Sequence, residues 1–193
     1  ALTVPLLMKA DGTKFGKTAG GSVWLDPEMT SPYAFFQFWL NSDDKDVINF
    51  LKVFSFKSHE EIVELEKSHN ENPGLREAHR ALARELTSLV HSEETTQRVE
   101  AAARALFGQG ELSELDEATL ASALAELPRT TISANEEIPT WVDLLAATGV
   151  VDSKSAARRI VKEGGAYLNN QKISGEDFRP SKSDFLCGKY AVL

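Results

Sequence analysis

Hydrophobic and polar positions change their rhythm along the chain. Residues 1–26 read as strand, loop, strand. Thr3-Val4-Pro5-Leu6-Leu7 is a short apolar run, Asp11-Gly12 is a turn signal, and Ser22-Val23-Trp24-Leu25 resumes the extended pattern. From Thr30 to about Leu127 the spacing becomes helical. Ser31 before Pro32 predicts an N-cap with proline at the first helical position, followed by the aromatic run Tyr33 to Trp39. Ser42 is expected to cap the next helix, with Asp43 and Asp44 placed for its dipole. Ser58 and Glu61 have capping-box spacing. Asn72-Pro73 is expected to open a long helix with Leu75, Leu82, Leu86 and Leu89 along one side. Ser92 starts another, through Val99 to Phe107, closed by Gly108, and Ser113 a last one through Leu120 and Leu124. This describes a bundle of about five or six helices.

Residues 128–138 start with Pro128 and lack periodicity, which predicts a linker. Beyond it, Thr140 and Asp143 cap a helix ending at Gly149. Asp152 or Ser153 opens a second helix, running to Gly164-Gly165. Ala166-Tyr167-Leu168 and Gln171-Lys172-Ile173 read as short strands joined by Asn169-Asn170. A final strand pair is expected within Asp184 to Leu193. The expected fold is mainly α with a small α+β tail, divided as 1–29, 30–127, 128–138 and 139–193.

With 42% hydrophobic and 26% charged residues, the 193-residue chain is ordinary for a soluble protein. No apolar run approaches the roughly 20 residues of a membrane helix, so no membrane partner is expected. The start, Ala1-Leu2-Thr3-Val4-Pro5, is not a secretory signal. It lacks Met and opens inside an apparent strand, as a piece of a longer chain would. Cys187 is the single cysteine, which excludes an internal disulfide and a cysteine-cluster zinc site and fits the cytoplasm. Between Leu186 and Gly188 it reads as a small buried apolar residue. His59, His69, His79 and His91 read as surface or half-buried helix residues, and no metal site is expected. The net charge of −8 argues at first against nucleic acid, but it is unevenly spread. From Pro139 to Leu193 there are eight Lys and Arg against six Asp and Glu, a balance of +2; upstream there are 13 against 23, a balance of −10. A change of sign suggests two modules with different partners.

Two stretches carry candidate chemistry. In Lys14-Phe15-Gly16-Lys17-Thr18, followed by Gly20-Gly21, the two lysines can bring two ammonium groups to one polyphosphate while glycine admits close backbone approach. A lysine ammonium suits a leaving group that gains negative charge. On spacing alone the stretch is equally a solvated basic loop, and its glycines do not match the Gly-x-x-x-x-Gly-Lys-Ser/Thr phosphate loop. The second stretch runs from Ser153 to Ile173. Lys154, Arg158 and Lys162 lie at helical spacing on one stripe, with Arg159 beside it and Ala157, Ile160 and Val161 on the apolar side. Such a stripe beside a Gly-Gly turn and a polar hairpin suits an RNA backbone, or is simply a solvated face.

The first stretch resembles the KMSKS loop of class I aminoacyl-tRNA synthetases, in the KFGKT form of bacterial-type tyrosyl-tRNA synthetases. Its surroundings match that family too: Leu7-Met-Lys-Ala-Asp-Gly12 before it, Gly20-Gly-Ser-Val-Trp-Leu-Asp-Pro27 after it, then Thr30-Ser-Pro-Tyr33 and Phe36-Gln-Phe-Trp39. The resemblance implies the C-terminal edge of a Rossmann-type catalytic domain. It also implies that Lys14, Lys17 and Thr18 assist activation of tyrosine, with Lys14, Gly16 and Lys17 at the phosphates of ATP, which is expected to arrive with Mg²⁺. Neither the HIGH motif nor the tyrosine pocket has a counterpart, so these 193 residues alone should not catalyse aminoacylation.

The second stretch resembles the RNA-binding domain shared with ribosomal protein S-four, which has Ser-Arg/Lys-Ser-x-Ala-Arg opening a helix and Gly-Gly-x-x-x-Asn-Gly before a strand. Asn170 replaces the usual glycine, a departure expected to affect only the turn. The resemblance implies that Ser153, Lys154, Ser155, Arg158, Arg159, Lys162, Asn169 and Lys172 meet RNA. It also implies that the bundle is an anticodon-binding domain, although it carries no local motif and its aromatic run reads as core. The implied partner is tRNA(Tyr), not DNA, and the implied assembly is a homodimer through the missing catalytic domain. The alternative is a non-catalytic RNA-binding protein with the same C-terminal module.

Overall fold

The computed structural model describes residues 1, 3, 6–16, 22–107, 110–125, 127–133 and 137–193. No described helix is long and apolar enough to cross a membrane. By compactness the chain divides into Ala1–Val99 and Glu100–Leu193.

In the first unit the helices are α1 (Pro32–Leu40), α2 (Val47–Phe54), α3 (His59–Glu71), α4 (Glu77–His91) and the start of α5 (Glu93–Leu106). The Ser31 hydroxyl accepts from the Ala34 N–H, and Pro32 pre-sets the first turn. At α3 the Ser58–Glu61 capping box forms in both directions. The aromatic run is core: Phe35, Phe36 and Trp39 are buried with Val47, Phe50, Leu51, Leu82 and Leu86.

Several starts differ from the expected ones, each for a tertiary reason. Ser42 does not cap α2; its hydroxyl donates to the Trp39 carbonyl at the end of α1. Asp46 occupies the cap position but makes no cap bond, because its buried carboxylate accepts from the Ala10 N–H at 2.6 Å. Asn72-Pro73 opens only a 3-10 turn, Pro73–Leu75. Arg76 then takes a left-handed φ of 51°, its guanidinium donating to the Leu40 carbonyl at 2.6 Å, and α4 starts after it. The buried face of α4 is therefore Ala78, His79, Leu82, Ala83 and Leu86, while Leu75 and Leu89 are exposed. Nor do residues 1–26 contain an extended strand among those described. Met8 and Lys14 form an isolated antiparallel bridge about the turn at Gly12.

The second unit holds the end of α5, a 3-10 turn (Leu112–Glu114), α6 (Glu117–Leu124), α7 (Trp141–Ala147), α8 (Lys154–Glu163), β1 (Tyr167–Leu168) and β2 (Gln171–Lys172). Asp116, rather than Ser113, caps α6, accepting from the Thr119 N–H. Of residues 128–138, those described form neither helix nor strand. One core gathers Trp141, Val142, Leu145, Ala157, Val161, Leu168 and Ile173. A second joins Ala105, Leu112 and Leu120 to Leu186, Tyr190 and Val192. Strands β1 and β2 pair with Tyr167 opposite Lys172 and Leu168 opposite Gln171. Asn169 and Asn170 turn between them at φ 48° and 67°, the positive values a two-residue hairpin turn requires. Asn170 does more than turn: its amide donates to the carbonyls of Ala105 at 2.6 Å and Gly110 at 3.1 Å.

The expected final strand pair is reduced to a single bridge, Leu186 to Tyr190. Cys187 and Gly188 form its turn at φ 50° and 68°. Cys187 is consequently exposed, not buried, because a turn tip points its side chain away from the core.

Candidate phosphate loop and nucleic-acid interface

Residues 7–16 form a tight excursion on the first unit. The Gly12 N–H donates to the Lys9 carbonyl at 2.9 Å, Lys9 N–H to Thr13 at 2.8 Å, and Phe15 N–H to Leu7 at 3.1 Å. At the tip the Asp11 carboxylate accepts from the Thr13 hydroxyl and N–H, bonds that hold its pKa below the usual range. Two anchors hold the excursion. One is the Ala10–Asp46 hydrogen bond. The other is Phe15, which stacks on Trp39 with centroids 5.6 Å apart and meets Phe50 at 5.0 Å and Phe54 at 5.3 Å. Aromatic pairs at such separations add to the area they bury.

Half-buried against the core, Phe15 leaves its neighbours outward. Lys14 is exposed, and Gly16 has a φ of 85° with open space where a Cβ would stand. Among its described residues the loop thus offers the exposed Lys14 ammonium and an accessible backbone beside a fixed ring, chemistry suited to an anionic ligand. Lys17 and Thr18 lie outside the described residues. A cavity of about 520 Å³ opens beside the excursion, lined in part by Lys9, Asn41, Lys45 and Asp46.

His79 departs from the expected surface or half-buried position: it is fully buried on α4. Its Nε2 lies 3.1 Å from the Ser42 carbonyl and 3.2 Å from the Asp44 carboxylate. Burial, with Arg76 nearby, pushes its pKa below the ordinary value. His79 and Arg76 together tie down the segment between α1 and α2 that ends in Asp46.

In the second unit α8 forms as expected. The Ser153 hydroxyl accepts from the Ala156 N–H, Gly164 ends the helix at a left-handed φ of 75°, and Ala157 and Val161 are buried. Lys154, Ser155, Arg158, Arg159 and Lys162 are exposed. All three cations of the stripe have carboxylate partners. Lys154 Nζ lies 2.6 Å from Asp143, Arg158 Nε 3.5 Å from Glu176, and Lys162 Nζ 3.1 Å from the other oxygen of Glu176. Hydrogen bonds from Lys154 and Thr140 hold Asp143 below its usual pKa. Lys172 joins the helix end: a Cβ on Gly164 would lie 2.7 Å from its Nζ, so the ammonium crosses the helix C-terminus, where a positive charge is favoured. The Asn169 amide is taken up within the fold, donating to the Asp184 carbonyl and accepting from the Val192 N–H.

The structure thus brings Lys154, Arg158, Lys162 and Lys172 to one helix, and places Asn169 in the support behind it. Sequence reasoning missed Phe15 as an anchor, Asp46 as its second anchor, and Asp143 and Glu176 as partners of the stripe. A lone aromatic inside a polar loop was the available signal for Phe15. No local pattern marks the others.

Comparison with known proteins agrees along the whole chain. A family model for tRNA synthetases class I (W and Y) matches residues 1–108. A model for the tyrosine–tRNA ligase SYY-like C-terminal domain matches residues 119–193. Over its full length the chain is similar to the tyrosine–tRNA ligases of Streptomyces avermitilis at 63% identity, Thermobifida fusca at 57% and Corynebacterium glutamicum at 54%. It spans 45%, 45% and 46% of those proteins, less than half of each.

Proposed function

The chain belongs to the class I tRNA synthetases of the W and Y group, and from that premise we propose that it supplies the ATP-phosphate loop and the tRNA grip of a tyrosine–tRNA ligase. In the whole enzyme the tyrosine carboxylate attacks the α-phosphorus of magnesium-bound ATP, giving tyrosyl-adenylate and releasing pyrophosphate. A ribose hydroxyl at the 3′ end of tRNA(Tyr) then attacks the tyrosyl carbonyl and AMP leaves.

Lys14 and Lys17 neutralise the departing pyrophosphate, with Thr18 and the backbone at Gly16 alongside. Residues 1–29 close the catalytic domain, and 30–127 receive the anticodon arm. Residues 139–193 hold the RNA backbone through Ser153, Lys154, Ser155, Arg158, Arg159, Lys162 and Lys172, with Asn169 bracing the hairpin. The whole enzyme works in the cytoplasm as a homodimer joined through its catalytic domain. A purely RNA-binding protein is not favoured, because the class I match spans the loop and most of the bundle.

The observation that carries this reading is the exposed Lys14 on a loop pinned by Phe15 into the bundle core. The test is Lys17→Ala in the full-length enzyme. Pyrophosphate exchange should fall about 100-fold or more, the usual loss when one charge-stabilising donor is removed. Tyrosine affinity should hold. Exchange kinetics equal to the parent's would overturn the role of the loop.

A further inference from the structure

We propose that Glu176 is a phosphate placeholder: its carboxylate occupies the position between Arg158 and Lys162 that an RNA phosphate takes on binding, and so disfavours RNAs whose phosphate reaches that point without further contacts to the protein. The proposal rests on the reading of α8 as an RNA-binding face and adds to it the place of one phosphate and a determinant of discrimination.

Glu176 divides its two oxygens between the cations, Oε2 toward Arg158 and Oε1 toward Lys162. Two terminal oxygens on one central atom, each facing a cation, is also what a phosphodiester offers. The carboxylate is held in place by its loop. Ile173 is buried and its N–H donates to the Ala166 carbonyl at 3.0 Å. Phe178 packs on the core, its carbonyl accepting from the Trp141 N–H at 2.8 Å. Between these anchors Gly175 turns at a φ of 97° and presents Glu176 to α8.

The pairs are also easily displaced. The side chains of Arg158 and Lys162 are 52% and 72% exposed, and exposed ion pairs contribute little net stability. A phosphate arriving with further contacts can replace the carboxylate, whereas one arriving alone meets a site whose charge is already partly neutralised. Asp143 is a different case, since it also bonds Thr140 at the start of α7. Among the described residues Glu176 makes no other bond, so its substitution leaves the helix caps intact.

The experiment uses the full-length enzyme with Glu176→Gln, a tRNA(Tyr) transcript and an unrelated stem-loop RNA of equal length, binding being measured over a salt series. Glu176→Gln should tighten both RNAs, the unrelated one more, by roughly tenfold, so that discrimination narrows. The slope of log affinity against log salt should steepen by on the order of 0.7–0.9, one phosphate's worth. Unchanged or weaker binding overturns the placeholder. A double-mutant cycle gives a second reading independent of loop stability. In an Arg158→Ala/Lys162→Ala background the effect of Glu176→Gln should vanish, and an undiminished effect overturns the proposal. If Arg158→Ala/Lys162→Ala by itself leaves RNA affinity untouched, the RNA-binding reading of α8 fails; if it weakens affinity and Glu176→Gln is silent, only the placeholder fails.

Discussion

In the first unit Phe15 fixes the loop bearing Lys14 by placing a ring among Trp39, Phe50 and Phe54. In the second, Arg158 and Lys162 stand on an exposed helix face and are held by Glu176. Apolar packing is short-ranged and insensitive to salt, so it sets the place of the loop without touching its charge. Exposed ion pairs orient charges while leaving them exchangeable. A loop that must present its cations in one place is served by the first means. A face that must trade one anion for another is served by the second.

The packed anchor is most open to test at Trp39. Trp39→Ala should destabilise the first unit by about 3–5 kcal/mol, as for other buried aromatics. Melting at about 50 mM and about 500 mM salt should show the same loss, and a strongly salt-dependent loss would mean that charge, not packing, holds the loop. The double variant Arg158→Ala/Lys162→Ala probes the exchangeable face. It should weaken tRNA binding roughly tenfold, about 1.4 kcal/mol, and lower the salt slope by about 0.7–0.9 for each phosphate that is no longer neutralised. An unchanged slope would make the stripe a solvated face.

The smallest effect concerns His79, which touches the first unit alone. Its folded pKa lies below the ordinary 6.5, so the fold prefers the neutral ring and protonation favours the unfolded chain. Its contribution is complete above 6.5 and drains away as pH falls below that value. His91, lowered by burial, acts in the same direction. The melting temperature of the first unit should drop by about 4 °C between pH about 7.5 and about 5.5. His79→Gln should flatten the profile, and a profile already flat in the parent would contradict a desolvated ring at this position.

What could be read in advance was local. Ser31, Ser58, Thr140 and Ser153 cap the helices their spacing predicts, since a cap needs only partners a turn away. The Asn169-Asn170 turn was likewise legible, because its positive φ values select for those residue types. Errors fell where a distant group intervened. Asp46 forgoes capping for Ala10, 36 positions away. Arg76 takes a left-handed conformation while bonding Leu40, also 36 positions away. At Cys187 an apolar-looking neighbourhood concealed a turn tip.

The order of residues by itself determined the helical character, the capped starts, the hairpin, the two lysine-bearing stretches and the family they belong to. All of these depend on chemistry within a few positions, or on a string long enough to be matched. Tertiary structure alone decided which groups meet: Phe15 in an aromatic core, Asp46 beneath Ala10, His79 sealed beside Asp44, Glu176 between two cations. Those pairings follow from how the elements pack. Burial energy depends on the shape of the whole unit, and no local spacing encodes that shape.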